Sequence, residues 1–142
     1  MKILVIDGQN GRLGSQVIES IKSTVSASEN NGFEIIAVGT NALATSTMLK
    51  SGADKGATGE NPVIVQAREA DVIVGPIGIV MADSLLGEIT EKMAASVGRS
   101  NAKKILIPVN QCQTIIAGTE KLTRNQLIDE AVSLIFDGKT CS

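Results

Sequence analysis

The sequence contains no histidine, no tyrosine and no tryptophan, and its only aromatic residues are Phe33 and Phe136. Without histidine there is no imidazole general base, no His-ligated metal and no Ser-His-Asp arrangement. Without tyrosine no phenol can serve as an acid, and two phenylalanines make no stacking platform for nucleic-acid bases. Cysteine is limited to Cys112 and Cys141, too few for a Cys-rich zinc site. A disulfide is not expected, because Cys141 lies close to the C-terminus, and this usage suits a reducing compartment. Basic runs are missing as well. The 13 Lys and Arg are scattered among 15 Asp and Glu, giving a formal net charge of -2 and a pI of about 5.1. That balance argues against nucleic acid as a partner and against an anionic membrane surface.

Long hydrophobic runs are absent too. The longest stretch without charge or strong polarity, Val72 to Ala82, is broken by Gly75, Pro76 and Gly78. It falls well short of the roughly 20 apolar residues of a membrane span. Asp7 ends the Ile3–Ile6 run long before a signal-peptide apolar segment would be complete. The expected location is the cytoplasm.

What is present fits one domain: 142 residues, 43% hydrophobic and 20% charged. A chain of this length buries roughly 68% of its unfolded surface and needs neither metal nor disulfide for a core. Short apolar runs alternate with segments of helical period, the pattern of an α/β fold with a parallel sheet. Runs at 3–6, 33–38, 72–74 and 105–109 predict strands, with 53–57 a short edge strand and Ile115-Ile116 a further short one. Leu13, Val17, Ile18, Ile21 and Val25 follow a helical stripe. Asn30-Asn31-Gly32 reads as a turn. A helix over 42–51 is expected to end at Gly52, and another to start with Asn61 as cap and Pro62 in its first position. Leu86, Ile89, Met93 and Val97 mark a helix, interrupted at Gly87 and recapped at Thr90. Thr123 caps the last helix, whose stripe is Leu127, Ile128, Ala131, Val132 and Ile135. The expected architecture is a three-layer, doubly wound α/β/α domain with a mostly parallel sheet of about five strands, Rossmann-like.

The strongest local signal is Gly8-Gln9-Asn10-Gly11-Arg12-Leu13-Gly14, a G-x-x-G-x-x-G run between the first strand and the first helix. Glycines there permit a sharp turn and close approach of a phosphate, which the helix N-terminus would attract. The alternative is a tight turn in which Gly14 lets the helix pack closely on the sheet. At the end of the second strand stands Gly39-Thr40-Asn41, neither the acid that holds an NAD ribose nor the Arg that favours NADP. Thr40 and Asn41 would face a ribose or simply cap the next helix. Ligands of open α/β sheets bind where the strand order reverses. For an order of 3-2-1-4-5 that point joins Asp7–Gly14 to Gly75-Pro76-Ile77-Gly78 and to Asn110-Gln111-Cys112. The last two loops would offer backbone contact and amide hydrogen bonds.

Catalytic candidates are few. Asp7, Asp83 and Glu88 would act as acids or bases if buried. Against that, Asp7 would brace the glycine turn and Asp83 would cap a helix. Cys112 reads as a buried thiol, and Lys103-Lys104 as solvated residues ahead of a strand. No metal site is expected.

The glycine loop resembles the N-terminal lobe of NAD(P)-dependent dihydrodipicolinate reductases through Gly11-Arg12-Leu13-Gly14. That resemblance covers about 25 residues and implies that Arg12 lies near a cofactor phosphate. The His-rich catalytic segment of those reductases has no counterpart here. Over nearly the whole chain, four segments resemble a small firmicute family known as domain of unknown function 3842. They are Ile36–Asn41, Ala57–Asn61, Asp71–Gly78 and Lys104–Asn110. That likeness implies no activity. Where Asn10 follows Gln9, the family pattern leads one to expect a further Gly.

Three functions fit the sequence. The first is a nucleotide- or dinucleotide-binding module, a sensor or regulator, with NAD(P) or another nucleotide on the glycine loop. The second is a small reductase or transferase whose site is completed in a homo-oligomer. The third is an interaction protein with an empty nucleotide-type site.

Overall fold

A computed structural model describes residues 1–25, 32–109 and 114–138. Five strands form one parallel sheet: β1 (Lys2–Asp7), β2 (Glu34–Gly39), β3 (Lys55–Thr58), β4 (Val72–Pro76) and β5 (Lys103–Ile107). Their order is β3-β2-β1-β4-β5, and every neighbouring pair is parallel. The helices between and after them are α1 (Arg12–Thr24), α2 (Ala42–Lys50), α3 (Glu60–Glu69), α4 (Glu91–Arg99) and α5 (Arg124–Phe136), with a 3-10 turn at Ile77–Val80.

The central strands β1, β2 and β4 are buried on both faces, so their side chains divide by parity. Ile3, Val5, Ile35, Ala37, Val72 and Val74 meet α1, α2 and α5 in one core. Leu4, Ile6, Ile36, Val38 and Ile73 meet α3, α4 and the 77–89 segment in the other. The result is the doubly wound three-layer fold expected from the alternation of apolar runs and helical stripes.

Several local readings hold. Gly52 follows α2 at a φ of 110°, and Thr90 and Thr123 cap α4 and α5 through their hydroxyls. Others shift. Helix α3 starts at Glu60 behind Gly59 (φ 105°), so Asn61 is not its cap and Pro62 is its third residue rather than its first. Strand β5 begins two residues earlier than expected. Lys103 and Lys104 therefore belong to the strand; Lys104 is exposed, as expected, and Lys103 is half-buried. The Lys103 ammonium donates to the Leu134 carbonyl and, at 2.7 Å, to Asp137. Residues 83–89 are not helical: Asp83, Leu85 and Leu86 adopt left-handed φ of 66°, 54° and 58°. Asp83 thus caps nothing, and Leu86 points to solvent with 94% exposure. At 114–116 only Thr114 makes an isolated bridge, not a strand. Asn30, Asn31, Asn110, Gln111, Cys112 and Cys141 lie outside the described residues. Among the described residues no helix is long and apolar enough to cross a membrane, and no cluster of side chains could hold a metal ion.

Candidate functional site

Strand β1 delivers Asp7 to the point where the strand order reverses, between β1 and β4. The side chain is 5% exposed. Its two oxygens accept hydrogen bonds from the Gly8 N–H at 2.8 Å and the Gly14 N–H at 2.7 Å. Burial raises the pKa of this carboxyl above its ordinary value, the two amides and the Arg124 charge oppose that, and the Glu88 charge adds to it. The carboxyl thus braces the turn and, at the same time, occupies part of the N-terminus of α1. The Arg12 N–H is taken by the Asn10 side chain at 3.0 Å.

Each glycine of the loop has a packing reason. Gly11 caps α1 at a φ of 71°, and a Cβ there would lie 2.7 Å from the backbone of Ala44 in α2. A Cβ on Gly14 would meet Met48 Sδ at 2.5 Å and Asp7 Cβ at 2.9 Å. A Cβ on Gly8 would meet Thr40 Oγ1 at 2.7 Å and Glu88 Oε2 at 2.9 Å. The spacing of the motif is accounted for by close packing against α2, Asp7, Thr40 and Glu88, and phosphate approach is not needed to explain it.

Glu88 reaches back to this loop from the segment before α4. Its carboxylate accepts from the Gln9 N–H at 3.0 Å, from Asn41 Nδ2 at 3.0 Å and, in a short bond, from Thr40 Oγ1. Burial alone would raise its pKa. The bonds from Thr40, Gln9 and Asn41 together outweigh it and hold the carboxyl below its ordinary value. Asn41 also caps α2, its Oδ1 accepting from the Ala44 N–H at 2.9 Å. Thr40 and Asn41 therefore come together with Gln9, around a carboxylate of the same chain.

On the other side of the loop a cleft of about 560 Å³ opens above the ends of β1 and β4. Of the expected site residues, Gly8, Gln9, Asn10, Arg12, Leu13 and Pro76 line it. Gly11, Gly14, Thr40, Asn41, Gly75, Ile77 and Gly78 do not. Gly75 is pressed against β1, where a Cβ would lie 2.4 Å from the Ile6 carbonyl oxygen. Gly78 is buried, and its carbonyl accepts from the Met81 N–H at 3.0 Å. The cleft gains residues that the sequence did not single out: Ser84, Leu85, Leu86, Val109 and Arg124. No local signal marks Arg124, which reaches the site because α5 folds back over the sheet.

Two properties distinguish this cleft. Arg12 and Arg124 each occupy the first position of a helix, are exposed, and form no ion pair among the described residues. Among the described non-glycine residues, Gln9, Asp83, Leu85 and Leu86 have left-handed φ, and all four line the cleft. Such backbone costs of order 1 kcal/mol or more per residue and gathers at functional sites. A second groove of about 590 Å³ adjoins it, sharing Val109 and Arg124 and walled by Ile107, Ile116, Leu122 and Leu127.

The model of a family described as a domain of unknown function (DUF3842) matches residues 2–139. Comparison with curated proteins and with solved structures gives no match. A match over nearly all 142 residues settles membership: the chain belongs to the DUF3842 family, with the doubly wound parallel α/β architecture described above.

Proposed function

We propose that this protein binds a small phosphate-bearing molecule, of the nucleotide class, in the cleft between the glycine loop and residues 83–86. The observation that carries this reading is the pair of unpaired guanidinium groups, Arg12 and Arg124, at the switch point of a doubly wound sheet. Guanidinium forks match phosphate oxygens in bidentate fashion. Both arginines also stand at helix N-termini, whose dipoles favour anions. The convergence of four strained residues on the same cleft adds to it, as does a volume within the usual range for small-ligand sites. The amides of the glycine loop contribute less than the motif suggested. Asp7, Asn10 and Glu88 already accept from four of them.

A thermal-shift panel tests this reading: pyrophosphate, AMP, ATP, NAD, NADP, FMN, coenzyme A and S-adenosylmethionine. A ligand at 100 times its Kd adds about 2.7 kcal/mol, which raises Tm by several degrees in a domain of this size. The shift should disappear in Arg12→Glu. A flat panel, or a shift that Arg12→Glu leaves intact, overturns the proposal and moves weight to an interaction protein.

A second reading is an enzyme whose site is completed by another copy of the chain. It draws on Leu86 and Ile115, 94% and 87% exposed, beside the cleft and the adjoining groove. Sedimentation equilibrium checks it, and a monomer across the micromolar range removes it.

A further inference from the structure

A nucleotide-binding doubly wound sheet ordinarily meets the ribose at the end of its second strand, where an acid accepts from the hydroxyls. In this chain the end of β2 holds no acid of its own, yet a carboxylate stands there. Glu88, from a segment 48 residues further along, sits on Thr40, Asn41 and the Gln9 N–H. Its donors come from both partners that a ribose and its adjoining phosphate would use, the strand end and the glycine loop. A Cβ placed on Gly8 would fall 2.9 Å from Glu88 Oε2, so the carboxylate lies directly against the turn.

We propose that Glu88 is a built-in occupant of the ribose position, a specificity-determining residue that closes the β2 side of the loop to nucleosides. This rests on the anion-binding reading of the cleft and narrows its ligand class. A bound phosphate compound has no seat over β2. It must lie toward β5, where the cleft continues into the groove that shares Val109 and Arg124. The favoured ligands are then nucleotides and other small phosphorylated compounds that run toward β5, and not dinucleotides whose ribose follows the path over β2. Glu88 Oε2 already accepts from Thr40, Asn41 and the Gln9 N–H, so the donors that a ribose and its phosphate would use are taken. Displacing it would strand its negative charge without those partners. Glu88 therefore excludes a ribose rather than holding one.

The test measures pyrophosphate and NAD by titration calorimetry against the wild-type chain, Glu88→Ala and Glu88→Gln. Wild type is expected to prefer pyrophosphate over NAD by about tenfold or more, the scale set by displacing a hydrogen-bonded carboxylate. Glu88→Ala empties the position, so NAD should gain about tenfold while pyrophosphate is unchanged. Glu88→Gln keeps the volume but removes the charge, so NAD should gain less than in Glu88→Ala. Unchanged pyrophosphate affinity in Glu88→Ala shows that the cleft has survived the substitution. The inference alone is overturned if pyrophosphate binds both proteins and NAD gains nothing in Glu88→Ala. It is equally overturned if wild type already binds NAD the more tightly. Loss of pyrophosphate binding in Glu88→Ala would make the residue a support of the cleft instead. If neither probe binds any of the three proteins, the anion site falls, and this inference with it.

Discussion

The two sides of the Gly8–Gly14 loop are built from the same seven residues and are chemically opposite. The side toward α2 and the end of β2 is saturated. Asp7 accepts from two of its amides, Glu88 from a third, and the Ala44 backbone fills the space beside Gly11. The side toward β4 is open. It presents Arg12, faces Arg124 and is bordered by strained backbone at Gln9, Asp83, Leu85 and Leu86. In this fold the glycines of the motif serve packing, and any capacity to bind rests on the residues between them and on α5. A glycine-rich turn is thus a statement about how closely a helix approaches a sheet before it is a statement about a ligand.

The largest effect should come from breaking the saturated side at Gly11. Gly11→Val imposes a β-branched side chain at a φ of 71° and drives it into the Ala44 backbone. Strain and overpacking together should cost about 3–5 kcal/mol. Tm should fall by about 10 °C or more in a thermal melt. This variant reports on folding and says nothing about phosphate. A melting temperature within a degree or two of wild type would mean that Gly11 does not lie against α2.

Asp7→Asn breaks the same side more gently. The amide can accept from one of the Gly8 and Gly14 N–H groups but turns its own donor on the other. Leaving that donor unpaired costs about 2 kcal/mol. The pH dependence has a definite sign. The carboxyl of Asp7 is raised above its ordinary value of 3.8 in the folded chain. The stability linked to its protonation is fully present below 3.8 and is lost as pH rises through the folded value. The difference between wild type and Asp7→Asn in urea titrations should therefore shrink on going from pH 3 to neutral. A difference that grows with pH would contradict the burial of Asp7.

Much of this architecture was legible from local chemistry. Strands buried on both faces read as unbroken apolar runs, and caps such as Thr90 and Thr123 act within three residues of themselves. What escaped depends on distant partners or unusual backbone. Glu88 was recognisable as a carboxylate, but its seat on Thr40 and Asn41 is made by the fold and has no sequence spacing. The 83–89 segment carries helix-compatible residues, and only the left-handed φ of Asp83, Leu85 and Leu86 turns it into a wall of the cleft. Strand β5 began early because the Lys103 ammonium has partners at the far end of the chain, the Leu134 carbonyl in α5 and Asp137 just beyond it. The candidate site was legible as a place, since Asp7, the glycine loop and Pro76 do converge. It was not legible as chemistry, since Arg124 arrives from the other end of the chain.

On the open side, Arg12→Ala and Arg124→Ala should leave stability nearly intact, because both side chains are exposed and unpaired. Surface changes of this kind usually fall within about 0.5 kcal/mol. Each should weaken pyrophosphate by roughly tenfold, the loss of one charge-assisted contact. The double variant should lose more than the sum of the two if one anion bridges both guanidinium groups. Titration calorimetry on the four proteins gives the cycle. Additive losses would place the two arginines on separate ligands and divide the cleft in two.

The smallest effect is the most discriminating. Glu88→Gln removes a carboxylate whose pKa lies below its ordinary value of 4.5 in the folded chain. The stability it contributes is present above 4.5 and is lost as pH falls through the folded value, the reverse of Asp7. The group is half-buried, so solvent screens much of the gain and the change should be smaller than for Asp7→Asn. Its slope is what matters. Wild type minus Glu88→Gln should widen from pH 3 toward neutral while wild type minus Asp7→Asn narrows. Two carboxylates that accept from one loop, Asp7 at its start and Glu88 from the segment before α4, would then titrate with opposite consequences. One is buried against its own amides, and the other is held by a cluster of donors nearer the solvent. If the two differences ran in parallel, Glu88 would not be clasped by Thr40, Asn41 and Gln9 in solution, and the β2 side of the loop would be as open as the other.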